Sequence, residues 1–196
     1  MAPRRRLDAE LVRRGLVSSR REAAELIDLH RVLVNGALAD KSARMVDPGD
    51  ALLIQGDPPR FVSRGGEKLD HGLEEFGVAV AGLRVLDAGA STGGFTDCLL
   101  QRGADRVIAL DVGHGQLHPR LRDDTRVTVM ERFNVRNVTI DDLGGAVDLV
   151  VGDLSFISLG KVIPALVGVL RPGGGLVLLV KPQFEAGRAE VSRGRG

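Results

Sequence analysis

From residue 84 onward the chain repeats one pattern: a short apolar run, a glycine-rich or charged break, then apolar positions at helical spacing. The runs Arg84–Ala88, Arg106–Asp111, Val127–Met130, Val147–Val151 and Leu176–Lys181 predict five strands. Between them, Phe95–Arg102 closes at Gly103, and Leu159–Leu170 stops at Arg171-Pro-Gly-Gly-Gly175; both predict helices. An earlier helix carries Leu69, Leu73 and Phe76. Strands that are apolar throughout, rather than alternating, are covered on both faces, and intervening helices supply the cover. The expectation is an α/β domain built on a parallel, doubly wound sheet.

The first 56 residues follow a different pattern. Leu7, Leu11, Val12 and Leu16 fall at helical spacing, with Asp8 in the first turn and Gly15 near the end. Ser18-Ser19 reads as the cap of a second helix, Arg20 to about Leu29, which buries Ala23, Ala24, Leu26 and Ile27. Val32-Leu-Val-Asn-Gly36 predicts a strand ended by an Asn-Gly turn, the strongest short hairpin signal. A later strand, Ala51-Leu-Leu-Ile54, follows Pro48-Gly49-Asp50. Gly56-Asp-Pro-Pro59 is stiffened by its prolines. The resulting division is a small α+β domain over 1–56, a linker over 57–62, the α/β domain over 63–187 and a disordered tail over 188–196.

Composition narrows the function classes. Lys and Arg number 27 against 26 Asp and Glu, so net charge announces no nucleic-acid partner and only local distribution can. Arg4, Arg5, Arg6, Arg13, Arg14, Arg20, Arg21 and Arg31 crowd the first two helices, where guanidinium groups suit phosphate. Some of them, Arg13 for one, can equally solvate helix faces beside Asp8, Glu10, Glu22 and Glu25. One cysteine, Cys98, excludes an intramolecular disulfide and fits a reducing, cytoplasmic compartment. Its apolar surroundings suggest a buried inert thiol. No apolar core follows the basic Met1-Ala-Pro-Arg-Arg-Arg start, and no run reaches the ~18 apolar residues of a membrane span. The four histidines lack metal-ligand spacing, so neither membrane nor metal is expected.

The chemistry concentrates at predicted strand ends. Val85-Leu-Asp-Ala-Gly-Ala-Ser-Thr-Gly-Gly-Phe95 reads as strand, acid, glycine turn and helix, the place where open α/β sheets gather ligands. A dinucleotide loop needs Gly at the position of Ser91, and a phosphate-cradling loop needs Lys at that of Phe95. What remains is a ligand without phosphates, with Asp87 free to receive a positive group. S-adenosylmethionine fits, and so does an ordinary tight strand–helix turn. Asp111, ending the second strand, is placed for a cofactor ribose. Asp153 ends the fourth strand and Lys181 the fifth, so both face the same crevice. They form either a structural ion pair or a proton-accepting pair for a weakly acidic hydroxyl. Lys68, ahead of the first strand, is a third candidate for that edge.

Two resemblances add to this reading. Arg6-Leu-Asp8, Ser19-Arg20, Ala23, Leu26-Ile27, Val32, Val34-Asn-Gly36, Val46 and Gly49-Asp50 make the first unit resemble the alpha-L RNA-binding domain. His30 stands where that family has Gly. The second unit resembles FtsJ-type ribose 2′-O-methyltransferases through Ser63-Arg-Gly-Gly-x-Lys68, Leu86–Thr96, Asp111-Val-Gly-x-Gly-Gln-Leu117, Glu131-Arg-x-Asn134, Asp153–Ser158 and Val180–Glu185. The two-domain whole resembles the TlyA family of rRNA cytidine 2′-O-methyltransferases, also labelled haemolysins. That resemblance implies a Rossmann-like methyltransferase sheet, S-adenosylmethionine as cofactor, and ribosomal RNA or ribosomal subunits as partner. It implies Lys68, Asp153 and Lys181 as catalytic residues. It implies Asp87, Gly89, Ser91, Gly93, Phe95, Asp111, Asn134 and Asp153 around the cofactor, and Arg4, Arg5, Arg6, Arg14, Arg20 and Arg21 on the RNA. His114 and Phe133 replace the family's usual Tyr and Thr near the pocket.

The family's fourth catalytic residue, a Glu on a later strand, has no counterpart before Gly196, since Glu185 and Glu190 lie too close to the fifth strand. The apolar fifth strand also reads as covered on two faces while nothing after it can pair with its edge. The expectation is a sheet lacking its last strands, in a C-terminally truncated chain. Three functions follow: a ribose methyltransferase, an RNA-binding protein with an impaired methyltransferase domain, or a membrane-active haemolysin.

Overall fold

A computed structural model describes residues 3–17, 19–56 and 59–185; Ser18, Asp57, Pro58, Glu190 and the 188–196 tail lie outside the described residues. The chain divides into two compact units, Met1–Pro59 and Arg60–Gly196.

In the first unit, helices α1 (Leu7–Arg13) and α2 (Arg20–Asp28) pack over short strands. Strands β2 (Val32–Val34), β3 (Ala37–Leu38) and β5 (Leu52–Ile54) form an antiparallel sheet in the order β3-β2-β5. β1 (Arg5–Arg6) pairs antiparallel with β4 (Met45–Val46), a pairing two consecutive arginines gave no reason to expect. Leu7, Leu11, Ala23, Ile27, Val32, Val34 and Val46 fill the core. The Asn-Gly hairpin is present, with φ of +52° at Asn35 and +82° at Gly36. Asn35 also binds Asp50 and the Ala51 N–H at 2.8 Å each, fixing β2 against β5. Ser19 caps α2 through the Glu22 N–H.

One expectation changes here and one is met. α1 stops at Arg13 rather than Leu16, because Gly15 turns left-handed and the Leu16 N–H reaches back to the Leu11 carbonyl. Leu16 is left exposed. His30 holds φ +54°, the conformation glycine adopts without strain.

The second unit is a five-stranded sheet, all parallel, in the order β10-β9-β6-β7-β8. Its strands are β6 (Arg84–Ala88), β7 (Arg106–Leu110), β8 (Val127–Met130), β9 (Val147–Gly152) and β10 (Leu170–Leu178). Alternate residues serve two cores. Val85, Val107, Ala109, Leu149 and Val151 meet α3 (Gly65–Glu75), α4 (Gly94–Gln101) and α5 (Pro119–Arg122). Leu86, Ala88, Ile108, Leu110 and Val150 meet α6 (Ile140–Leu143) and α7 (Ile163–Gly168). The doubly wound expectation holds, and its cause is visible in the register. β6 lies between β7 and β9, so connections depart to opposite sides from its carboxyl end and open a crevice there.

The predicted Leu159–Leu170 helix is broken. A 3-10 turn over Leu159–Lys161 precedes α7, with Pro164 in the first turn of that helix, and Leu170 already pairs with Val147. Arg171–Gly174 then bulges before pairing resumes at Gly175. β10 meets both cores, Val177 the first and Leu176 and Leu178 the second, but only in part: these residues and Leu179 are half-buried and Val180 is 60 % exposed. A continuous apolar run reports burial only if a neighbour exists, and among the described residues β10 has β9 alone. No helix among the described residues is long and apolar enough to cross a membrane.

Candidate active site

The loop from β6 to α4 turns on three residues with positive φ: Gly89 (+86°), Ser91 (+49°) and Gly93 (+95°). Asp111, following β7, anchors it. One carboxylate oxygen accepts the Ser91 N–H at 2.8 Å and the other accepts the Gly113 N–H at 2.7 Å. Asp111 therefore joins the loops after β6 and β7, and each oxygen keeps a lone pair for a further donor.

Packing sets three residues of this loop. Asp87 is fully buried rather than free: Thr96 Oγ1 donates to its Oδ2 at 2.6 Å, while Oδ1 has no partner. Burial pushes its carboxyl up to about 7; the Thr96 hydrogen bonds oppose that rise, and Asp111 and Asp153 add to it. Phe95 belongs to the core beneath the loop, so its ring presents no free face. A side chain at Gly93 would strike Leu121 and Leu117 at 2.3 and 2.7 Å, so this glycine serves helix packing rather than ligand approach.

A second loop pair forms the other wall. Lys181, beyond β10, places Nζ 2.5 Å from Asp153 Oδ1, 2.7 Å from Ser155 Oγ and 3.4 Å from the Asp153 carbonyl. Oδ1 accepts no well-directed hydrogen bond despite the short separation, so that contact is Coulombic while the Ser155 bond is directional. Past Ser155 the backbone reverses at Phe156, which holds φ +65° and leaves its ring 91 % exposed. Phe184, on α8 (Pro182–Glu185), meets that ring at a centroid distance of 5.3 Å. Glu185 then accepts the Ser158 hydroxyl and the Leu159 N–H, both at 2.7 Å. Those bonds hold its carboxyl below the usual range, the backbone one most, and occupy it as a cap.

The outlying residues divide. Lys68 is exposed on α3 and has no hydrogen bond or ion pair among the described residues. Its helix starts against the glycine loop, since a Cβ on Gly94 would lie 2.9 Å from the Gly66 nitrogen. Asn134 is exposed just beyond β8, where its carbonyl accepts the Arg136 N–H at 3.1 Å. His114 Nδ1 lies 2.7 Å from Glu131, which also binds the Gly115 N–H and Arg122. Phe133 packs on the second core. Burial pushes the Cys98 thiol up to about 12, as expected of an inert cysteine.

In the first unit, Asp8 is held by Arg6 and Arg20, and Glu10 by Arg13 and Arg14. Arg14 also donates to the carbonyls of Pro48 and Asp50, so it ties the fold together. Arg4 pairs with Asp47 and Arg21 with Glu25, both on the surface, while Arg5 is exposed without a side-chain partner among the described residues. Sequence reasoning missed Ser155 and the reversal at Phe156. Alternation from Asp153 could have flagged the first, but no residue preference signals a left-handed Phe.

The profile of the FtsJ-like methyltransferases matches residues 61–196, and that of the S4 domain matches residues 5–52. The 16S/23S rRNA (cytidine-2′-O)-methyltransferase TlyA of Mycobacterium tuberculosis is 56 % identical over 195 residues, covering 99 % of this chain and 73 % of that protein. Hemolysin A of Brachyspira hyodysenteriae is 42 % identical over 191 residues, covering 96 % and 79 %. A solved structure from Streptococcus thermophilus that carries the name hemolysin superposes with a TM-score of 0.72 at 43 % identity, covering 96 % of this chain and 70 % of its own.

Proposed function

The chain belongs to the FtsJ-like methyltransferase family, and on that premise we propose that it methylates the ribose 2′-hydroxyl of cytidine in ribosomal RNA, with S-adenosylmethionine as donor. The observation that carries this reading is the Lys181–Asp153–Ser155 assembly at the carboxyl edge of the sheet, with Leu154 and the Asp153 backbone against the glycine loop.

The donor set fits the cofactor. Asp87, Asp111 and Asp153 interact at one crevice, and each of the other two raises the Asp87 carboxyl. Carboxylates repelling one another favour a cation between them. The orphaned Asp87 Oδ1 is a buried acceptor of the same kind. The glycine loop offers backbone amides, and neither Lys nor Arg stands in it to pair a phosphate. When bound, S-adenosylmethionine supplies an electrophilic methyl on a positively charged sulfur. Asp111 is suited to the ribose hydroxyls, beside the Gly89–Ser91 turn that its carboxylate anchors.

The remaining work falls to the chain's side chains. Asp153 would receive the 2′-hydroxyl proton while the Lys181 ammonium holds the developing negative charge on that oxygen, as the methyl leaves the donor sulfur for it, a contribution of about 100- to 10,000-fold. Lys68, exposed and unpaired on the adjoining helix, adds positive charge toward the RNA backbone at that edge. The exposed Phe156 ring offers a flat apolar face for the unstacked cytosine that such a reaction requires. On the S4 domain, Arg4, Arg5, Arg6, Arg20 and Arg21 contact phosphates. The hemolysin name shared by some relatives finds no membrane-spanning helix among the described residues.

The experiment is transfer of a labelled methyl group to isolated ribosomal subunits, with cofactor binding followed by calorimetry. Lys181→Ala is expected to lose transfer by about 1,000-fold while cofactor affinity stays within a few-fold. Unchanged transfer by that variant, or absence of cofactor binding by the folded protein, sinks the reading.

A further inference from the structure

Lys181 and Asp153 attract one another, but attraction alone does not aim an amine. The Asp153 Oδ1 contact at 2.5 Å lacks hydrogen-bond direction, whereas the Ser155 Oγ contact at 2.7 Å has it. A lysine amine swings on four single bonds and is fixed only by directional partners. Of the side chains around Nζ, the hydroxyl of Ser155 is the directional one.

The backbone explains why Ser155 stands there. Leu154 points inward onto the second core and lies against Gly89, where a Cβ would meet it at 3.1 Å. Extended chain alternates its side chains, so Asp153 and Ser155 share the face opposite Leu154. The left-handed turn at Phe156 ends the alternation directly afterwards. That conformation costs a non-glycine residue free energy and persists only where its surroundings impose it. Here the Phe184 ring and the Glu185 bonds to Ser158 and Leu159 brace the far side of the turn.

We propose that Ser155 is a positioning residue, which accepts the Lys181 N–H and so fixes the amine over the crevice for transfer to the ribose hydroxyl. This inference rests on the role given to Lys181 above. Ser155 itself is exposed on the loop, and its side-chain hydrogen bond is to Lys181. Its loss should therefore act on turnover and leave cofactor and RNA affinity alone.

The test compares Ser155→Ala, Ser155→Thr and Ser155→Ala/Lys181→Ala with the wild type, in the full protein. Ser155→Ala should lower kcat about tenfold with KM for ribosomal subunits unchanged, the size expected for one hydrogen bond to a charged group. Ser155→Thr, which keeps the hydroxyl, should recover most of that loss, and the double variant should be no slower than Lys181→Ala alone. A readout independent of turnover is the proton–nitrogen correlation spectrum of the lysine ammonium groups. The Lys181 signal should be sharp in the wild type and Ser155→Thr, and broadened in Ser155→Ala. Wild-type kcat and an unchanged Lys181 signal in Ser155→Ala would overturn the proposal. If Lys181→Ala itself transfers normally, the catalytic reading fails, while the ammonium spectrum still decides whether Ser155 orders the amine.

Discussion

The arginine-bearing face of the S4 domain and the crevice of the methyltransferase domain compensate their carboxylates in opposite ways, although buried Asp70 of the second unit, held by Arg60 and Arg102, follows the first pattern. In the S4 domain, Asp8 and Glu10 are each gripped by two arginines, so each acid leaves an excess positive charge at the surface. In the methyltransferase domain, Asp87, Asp111 and Asp153 share one crevice, and among the described residues Lys181 is the single amine paired with any of them. An overcompensated cluster offers cationic surface to a polyanion. An undercompensated one invites a cationic ligand. Overall charge is nearly balanced, so neither property is visible in the total.

The largest effect should come from breaking the overcompensated side. Glu10→Ala strands two guanidinium groups beside a buried site and should destabilise the S4 domain by about 3 kcal/mol, measured by chemical denaturation. The wild type supplies the matching pH test. Arginine hydrogen bonds depress the carboxyls of Asp8 and Glu10 to about 2. Depressed folded-state values mean stability that is full above the unfolded carboxylate range, near 4, and lost as pH falls from there toward 2. Glu10→Ala should flatten that loss.

Asp87 sharpens the undercompensated side. Its carboxyl is raised to about 7, so the folded, ligand-free protein favours the protonated form. The corresponding stability is full below the unfolded value and is lost as pH rises through about 7. A cationic cofactor should therefore bind more tightly, and raise the Tm more, at pH ~8 than at pH ~6. Asp87→Asn keeps an acceptor for Thr96 and should remove this pH dependence; an unchanged dependence would place the titrating group elsewhere.

Smaller effects probe individual cations. Arg5→Ala should reduce the salt dependence of RNA binding by about one unit of slope, because Arg5 has no carboxylate to release first. Arg14→Ala should leave the slope unchanged and lower stability instead, reversing the order expected if the two were equivalent phosphate contacts. The smallest change is local: His30→Gly relieves a left-handed backbone and should stabilise the S4 domain by about 1 kcal/mol.

Much of this was legible in the sequence, and the failures have physical causes. Apolar runs located β6, β7 and β9 because both faces of those strands are covered, and strand ends located Asp111, Asp153 and Lys181 because topology sends them to one edge. β10 shows the limit: its composition is that of a buried strand, yet burial depends on a neighbour that its own residues do not specify. Arg14 shows another. Glu10 sits at helical spacing from both Arg13 and Arg14, but only the fold brings the Pro48 and Asp50 carbonyls to Arg14. Asp87 and Phe95 show a third: their motif marks the loop, whereas how deeply each side chain is buried is a property of packing.

Asp111 carries a warning for anyone dissecting this crevice by mutation. Because its two oxygens pin the backbone at Ser91 and at Gly113, it works as a keystone shared by two arches. Removing it lets both spans sag together, so a lost affinity in Asp111→Ala measures the collapse of a scaffold as much as a missing handshake with the guest. Asp111→Asn, which preserves one acceptor and forces the other end to donate, would loosen a single arch and separate the two contributions.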